Sequence, residues 1–180
     1  PRQEHAKGKK IGIEHLGNVA GGGPTEYLNV PNQFMKDCVR QILEEQGIPV
    51  WFGADCHPMM DRENGAWATD LFEYGKVYGV DFDLNKEDRV RFADSAMNHA
   101  MAFVGVDVAE DGTTTRRWRV ENSWGDKIAD KGYFTMSDDW FTEYVYEVAV
   151  PKALLPAEYQ AALDEPATML PAWDPMGALA

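Results

Sequence analysis

A β-hairpin is encoded in the middle of this 180-residue chain, and no other pattern narrows the possible folds as far. Residues 100–108 are nearly all small or β-branched, Asp111 and Gly112 form a typical turn dipeptide, and residues 117–121 alternate polar and apolar side chains. Alternation with a period of two is typical of a strand, and Asp-Gly favours a tight turn between antiparallel strands. We therefore predict two antiparallel strands here. Further strands are predicted at 132–136 and 144–150, separated by a short helical turn at 138–141.

Helical patterns come before the hairpin. Apolar residues recur at three- and four-residue spacing over residues 31–46, and a short apolar run at residues 50–53 predicts a buried strand. Residues 55–82 show no sustained period, which indicates an ordered excursion with short elements. A second helix is predicted over residues 85–97, with Asn85 capping an acidic first turn. Helices followed by strands predict an α+β fold.

Glycine and proline mark the two ends of the chain. The glycine run at residues 21–23 is followed by proline, and such a run cannot continue a helix or a central strand. The last thirty residues contain five prolines, with a brief helix predicted at residues 157–163. We expect the apolar side chains of Trp173, Met176 and Leu179 to be docked, because exposure forfeits about 1.5–3 kcal/mol each. The predicted parts are a lead-in and loop (1–30), helices and excursion (31–97), an antiparallel sheet or partial barrel (98–150) and a C-terminal arm (151–180).

Composition excludes several classes of partner. The chain has 17 basic and 30 acidic residues, a net charge of −13, which repels phosphate backbones and anionic lipids. A hydrophobic content of 44% is enough for a packed core, and no apolar run approaches the roughly 20 residues of a membrane-spanning helix. The first ten residues lack a signal-peptide core, and two cysteines are too few for a disulfide scaffold. We predict a cytoplasmic protein with no nucleic-acid or membrane partner.

Residues 81–92 match a calcium-binding loop only in part. Asp81, Asp83 and Asn85 have the one, three, five spacing of a calcium loop, but Lys86 replaces its glycine and Phe92 its bidentate glutamate. A calcium-dependent binding domain therefore has weak support. No cofactor is predicted.

The two cysteines are poor candidates for chemistry. Cys38 lies in the apolar periodicity of its helix, and Cys56 is followed by His57 with no second Cys/His pair to complete a zinc site. Adjacent side chains on an extended segment point to opposite sides, so Cys56 and His57 are badly placed to share a proton. We interpret Cys38 as a core residue and Cys56 as a bystander.

His99 and Asn122 form the strongest candidate site. His99 begins the first strand of the predicted hairpin, and Asn122 follows the second strand, 23 residues later. Folding the hairpin brings the two side chains together, and an amide oxygen that accepts from an imidazole N–H fixes the ring and its tautomer. We expect Trp124 to cover this hydrogen bond. Taken singly, His99 could be a structural histidine and Asn122 a turn residue.

Several segments together resemble a known family. They are WFGADCHP, NHAMAFVGV, RWRVENSWG, DKGYFTMSDDWF, WFTEYVYEV and the terminal LPAWDPMGALA. The middle segments are similar to the His and Asn half of papain-like cysteine peptidases. The terminal segment narrows the resemblance to the bleomycin hydrolase and aminopeptidase C branch, and the similarity runs over nearly the whole chain.

The resemblance implies a cysteine aminopeptidase with a papain-like fold, acting on peptide substrates through an acyl-enzyme. His99 would be the general base and acid, and Asn122 would orient it. The family also implies a homohexameric barrel with internal active sites. In this family the C-terminal arm enters the active-site cleft. The carboxylate of Ala180, with Leu179 and Ala178 beside it, would then limit how much of the substrate's N-terminus can enter.

The sequence departs from the family at the nucleophile. The family's cysteine lies in a Cys-Trp context on a helix N-terminus, whereas Val39 follows Cys38 and His57 follows Cys56. We expect the nucleophile and its helical domain to lie upstream of Pro1, and we predict that this C-terminal portion is inactive alone. The alternative is a catalytically dead interaction module or short paralogue of the same fold.

Overall fold

The predicted hairpin lies at the centre of a seven-stranded sheet in a computed structural model of the protein, which describes residues 6–17, 19–82 and 84–179. The strands are β1 (Lys10–Ile13), β2 (Glu26–Leu28), β3 (Val50–Ala54), β4 (Met60–Asp61), β5 (Ala66–Trp67), β6 (His99–Val108), β7 (Thr115–Glu121), β8 (Tyr133–Ser137), β9 (Val145–Val148) and β10 (Thr168–Leu170). The α-helices are α1 (Asn32–Gln41), α2 (Tyr74–Tyr78), α3 (Lys86–Arg91), α4 (Asp138–Tyr144) and α5 (Ala157–Asp164).

The large sheet has the order β4-β5-β8-β7-β6-β3-β9. Every neighbouring pair is antiparallel except β5 and β8, which are parallel. The sheet extends beyond the predicted 98–150 region, because β3, β4 and β5 come from the preceding part of the chain. The β6–β7 turn is held by Asp111, whose Oδ1 accepts from the backbone N–H groups of Thr113 and Thr114 at 2.8 Å each.

Aromatic side chains fill the space between this sheet and its helices. Those buried almost completely are Trp67, Phe103, Trp118, Phe134, Trp140 and Phe141. The helix predicted over residues 31–46 is confirmed as α1 and its π-helical continuation Ile42–Gln46, with Val39 and Ile42 facing the core. Ser137 begins α4 by accepting from the backbone N–H of Trp140 at 3.2 Å.

The prediction of a lead-in and loop over residues 1–30 missed two strands. β1 pairs in parallel with β10, and β2 pairs antiparallel with β1, forming a separate three-stranded sheet. A segment as short as β1 carries little local strand signal, and its partner β10 lies near the other end of the chain. A Cβ built on Gly12 would lie 2.7 Å from Met169 Sδ, so a larger residue at this position would displace the Met169 side chain.

Two further predictions were wrong in part. The helix predicted over residues 85–97 ends at Arg91, and Ala93 has φ 57°, which breaks the helical path. Its start is correct, because Asn85 Oδ1 accepts from the backbone N–H of Asp88 at 2.9 Å. Trp173 is not docked but 83% exposed, whereas Met176 packs against the small sheet.

The described residues include no helix long and apolar enough to cross a membrane.

Candidate active site

The hairpin brings His99 and Asn122 into direct contact. His99 is the first residue of β6, Asn122 follows the last residue of β7, and the pairing of Ala102 with Glu121 sets their register. His99 Nε2 lies 2.8 Å from Asn122 Oδ1. An amide oxygen can only accept, so the Nε2–H donates and Nδ1 is left as the basic nitrogen of the neutral ring.

The orientation of Asn122 is fixed by its neighbours. Its backbone N–H donates to the carbonyl oxygen of Gly132 at 3.1 Å, and its Oδ1 also accepts from the backbone N–H of Ser123 at 2.8 Å. Two donors therefore face Oδ1, which agrees with the assignment of the amide. Its Nδ2 is buried and has no hydrogen-bond partner within the described part of the chain.

Trp124 covers the imidazole. The rings of His99 and Trp124 are stacked, with centroids 5.1 Å apart and an interplanar angle of 20°. Phe134 meets the indole edge-on at 5.7 Å. Trp124 therefore contacts His99, and we expect an indole in this position to limit the access of water to the His99–Asn122 hydrogen bond.

A buried polar network holds the segment before His99, and it was not predicted from the sequence. Asp55 is 6% exposed, and its carboxylate accepts from Ser95 Oγ at 2.7 Å and from Asn98 Nδ2 at 2.6 Å. Ser95 Oγ in turn accepts from the Tyr146 hydroxyl at 2.7 Å. Because Ala54 pairs with His99, this network fixes the segment that leads into β6. The only local signal was a carboxylate at the end of a predicted buried strand.

Neither cysteine is placed for nucleophilic chemistry. Cys38 on α1 and Cys56 after β3 are free and buried, and burial raises the pKa of each thiol to about 11. Neither is hydrogen-bonded to His99 among the described residues. His57 is exposed, with Nδ1 3.1 Å from Asn98 Nδ2. No group of three or more His, Cys, Asp or Glu residues in the described ranges is arranged to hold a metal ion.

The C-terminal arm approaches the same site. The 3-10 turn Pro175–Leu179 ends the described chain, and the carbonyl oxygen of Ala178 accepts from the backbone N–H of Met97 at 2.8 Å. Met97 comes two residues before His99. Ala180, for which a role is predicted above, lies outside the described residues. Asp83 of the rejected calcium pattern does too.

Several known proteins are similar to this chain over its full length. The chain is 42% identical over its full length to aminopeptidase C of Lactobacillus delbrueckii subsp. lactis and 43% identical to bleomycin hydrolase of Homo sapiens. It also superimposes on the crystal structure of PepW from Lactobacillus rhamnosis HN001 with a TM-score of 0.92 and 38% identity, covering all of this chain and 40% of that one. The chain likewise spans 40% of the length of both relatives.

These matches confirm the papain-like α+β fold and the family resemblance predicted from the sequence. The model of the Peptidase C1-like family matches residues 1–177. The chain therefore belongs to the Peptidase C1-like family.

Proposed function

We propose that this chain supplies the histidine and the asparagine of a cysteine aminopeptidase that removes N-terminal residues from peptides. The observation that carries the proposal is the 2.8 Å contact of His99 Nε2 with Asn122 Oδ1 beneath the Trp124 ring. The names of the relatives, aminopeptidase C and bleomycin hydrolase, support the reaction class.

In the proposed reaction, His99 Nδ1 accepts the proton of a cysteine thiol, and the thiolate attacks the first peptide carbonyl of the substrate. The C–N bond breaks, and Nδ1 returns the proton to the leaving amine. Water then attacks the acyl-enzyme and gives a proton to Nδ1, which restores the thiol as the amino acid leaves. Asn122 holds the ring and stabilises the imidazolium that forms between these steps.

The thiol must come from outside these 180 residues. Cys38 and Cys56 are buried, and their pKa values of about 11 keep them protonated at neutral pH. We therefore expect the isolated chain to have no peptidase activity.

The C-terminal arm limits the reaction to single residues in this proposal. The Ala178–Met97 hydrogen bond supports it, because it attaches the arm beside His99. The carboxylate of Ala180 would pair with the substrate's α-ammonium group, and Leu179 would line the cleft.

A homohexamer in the cytoplasm is part of the same proposal. The free thiols of Cys38 and Cys56 fit a reducing compartment.

Eight large apolar side chains between residues 72 and 92 are exposed in the single chain, and a subunit contact would bury such side chains: Phe72, Tyr74, Val77, Tyr78, Val80, Phe82, Leu84 and Phe92. The mass of the assembled protein in solution tests the proposed hexamer.

The test of function uses a chimera in which this chain replaces the matching part of the Lactobacillus delbrueckii aminopeptidase C. Release of N-terminal residues from short peptides, inhibited by a thiol alkylating agent, is the expected result. His99→Ala should reduce kcat by about 10²- to 10⁴-fold, the usual contribution of a general base. His15→Asn is the control, because His15 is exposed and asparagine tolerates its backbone φ of 65°. An active chimera that retains near-normal hydrolysis after His99→Ala would refute the assignment. A folded chimera without activity would favour an interaction module.

A further inference from the structure

Arg62 differs in its partners from the other arginines that the structure describes. Six arginines within the described ranges form ion pairs with carboxylates: Arg40, Arg89, Arg91, Arg116, Arg117 and Arg119. Arg62 has no such partner there, although the chain carries 30 acidic residues. Its side chain is exposed, and its guanidinium carbon lies 5.2 Å from the centre of the Trp124 ring. A guanidinium that rests on an aromatic face keeps its N–H donors available for an anion.

The same indole contacts the proposed catalytic histidine. Trp124 stacks on His99 at 5.1 Å between ring centroids. Arg62 therefore presents a positive charge to the indole that contacts His99, the group that would protonate the leaving amine. In a chain with a net charge of −13, this charge is the opposite of the surrounding field.

The sheet order indicates which part of a substrate passes Arg62. A Cβ built on Gly53 of β3 would lie 2.0 Å from Met97 Sδ and 3.0 Å from Glu147 Cγ on β9. Met97 therefore lies against β3, next to the edge of the sheet that β9 forms. Ala178 of the C-terminal arm is bound to Met97 there. Arg62 follows β4 at the opposite edge of the sheet, and β6, which carries His99, lies between the two.

We propose that Arg62 is a specificity residue that binds a carboxylate in the leaving portion of the substrate. The inference rests on the proposed function, in which the substrate's N-terminus lies against the C-terminal arm. The leaving portion then extends from His99 towards Trp124 and Arg62. Because one extended residue spans about 3.5 Å, the carboxylate belongs to the first or second residue after the cleaved bond. It is either an acidic side chain or the α-carboxylate of a short peptide, and both present the same anion to the guanidinium.

Kinetics of the active chimera separate the two sources of the carboxylate. One comparison uses dipeptides against their C-terminal amides, and the other uses dipeptide amides with Glu against Gln at the second position. We expect kcat/KM to be about three- to fivefold higher for each carboxylate-bearing substrate, the size of an exposed ion pair. Arg62→Gln should remove the preference for the carboxylate in at least one comparison. It should change kcat/KM for the uncharged substrates less than twofold. Arg62→Lys should keep part of this preference, and added salt should weaken the preference in the wild type.

Arg116→Gln is the matched control, because it removes one exposed arginine charge at the β6–β7 hairpin and should leave the preference intact. An equal loss for charged and uncharged substrates in Arg62→Gln would mean that Arg62 only supports Trp124, and it would overturn the proposal. Wild-type kinetics with no preference for carboxylates would overturn it too.

A binding measurement on the 180-residue chain separates this inference from the proposed function. The Trp124 indole N–H signal is followed by NMR during titration with a glutamate-containing dipeptide amide and with its glutamine analogue. A saturable shift with glutamate alone, absent in Arg62→Gln, supports the carboxylate site even where the chimera lacks peptidase activity. Identical shifts with both probes would contradict it.

Discussion

The backbone N–H of Met97 donates a hydrogen bond to the carbonyl oxygen of Ala178, with 2.8 Å between the two atoms. This bond joins the C-terminal arm to the segment that leads into His99. The next residue, Asn98, is held on the other side by its own backbone N–H, which donates to the carbonyl oxygen of Ala54 at 3.1 Å. The arm and β3 are thus both hydrogen-bonded to one short segment, which continues directly into β6.

Deleting residues 178–180 should free the Met97 amide. Its hydrogen exchange should accelerate by about fivefold, since one hydrogen bond contributes roughly 1 kcal/mol. The Asn98 amide serves as the internal control and should change little, because its acceptor on Ala54 remains. Exchange followed by NMR provides the measurement. Unchanged protection of Met97 would mean that the arm is not held by this bond.

The same deletion should alter specificity in the active chimera. Without the arm, peptides with a blocked N-terminus should become substrates, because the group proposed to limit entry is gone. Mass spectrometry of the products distinguishes cleavage after the first residue from cleavage further along the peptide. Strict single-residue trimming by the deletion variant would refute the proposed role of Ala178, Leu179 and Ala180.

Asn122→Ala should reduce kcat of the active chimera by about 10-fold, less than the loss expected for His99→Ala. Asn122 orients the imidazole without transferring a proton, so KM should change little. Gln33→Ala, which removes an exposed amide hydrogen-bonded to Asp37 on α1, is the control. A loss confined to KM would indicate that Asn122 shapes the cleft without acting through His99.

The hairpin and the His99–Asn122 contact were predictable because their signals are local. An Asp-Gly turn and the spacing of the two strands determine which residues meet at the open end. The α1 helix and the Asn85 cap were predictable for the same reason: each depends on residues within one or two helical turns.

The remaining features depend on contacts between distant parts of the chain. Pairing of β1 with β10 joins the two ends of the protein, and four residues such as those of β1 are too few to indicate a strand. The side chains that donate to Asp55 come from the segment before β6, and Tyr146 of β9 donates to one of them, Ser95. The contact of Arg62 with Trp124 likewise joins residues that no sequence period connects.

Both thiols should resist alkylation in the folded chain. Burial raises the pKa of Cys38 and of Cys56 to about 11, so the reactive thiolate fraction at pH 8 is roughly 200-fold lower than in an unfolded chain, where the pKa is about 8.5. Intact mass after treatment with iodoacetamide, with and without denaturant, measures the difference. Rapid labelling of folded Cys56 would restore it as a candidate nucleophile.

Lys86 should make stability depend on pH between about 7 and 8.5. Burial lowers its pKa to about 7, although Nζ donates to the carbonyl oxygens of Thr142 at 2.9 Å and Val145 at 2.5 Å. The unfolded pKa is about 10.4, so over this range the unfolded chain binds more protons than the folded one. The free energy of unfolding therefore rises with pH, by about 1–2 kcal/mol from this residue, and the contribution is lost as the pH falls through 7. Denaturant titrations of the wild type and Lys86→Met across the range should diverge by this amount, whereas Lys76→Met, at an exposed lysine, should run parallel to the wild type. Parallel curves for Lys86→Met would show that Lys86 stays charged in the folded protein.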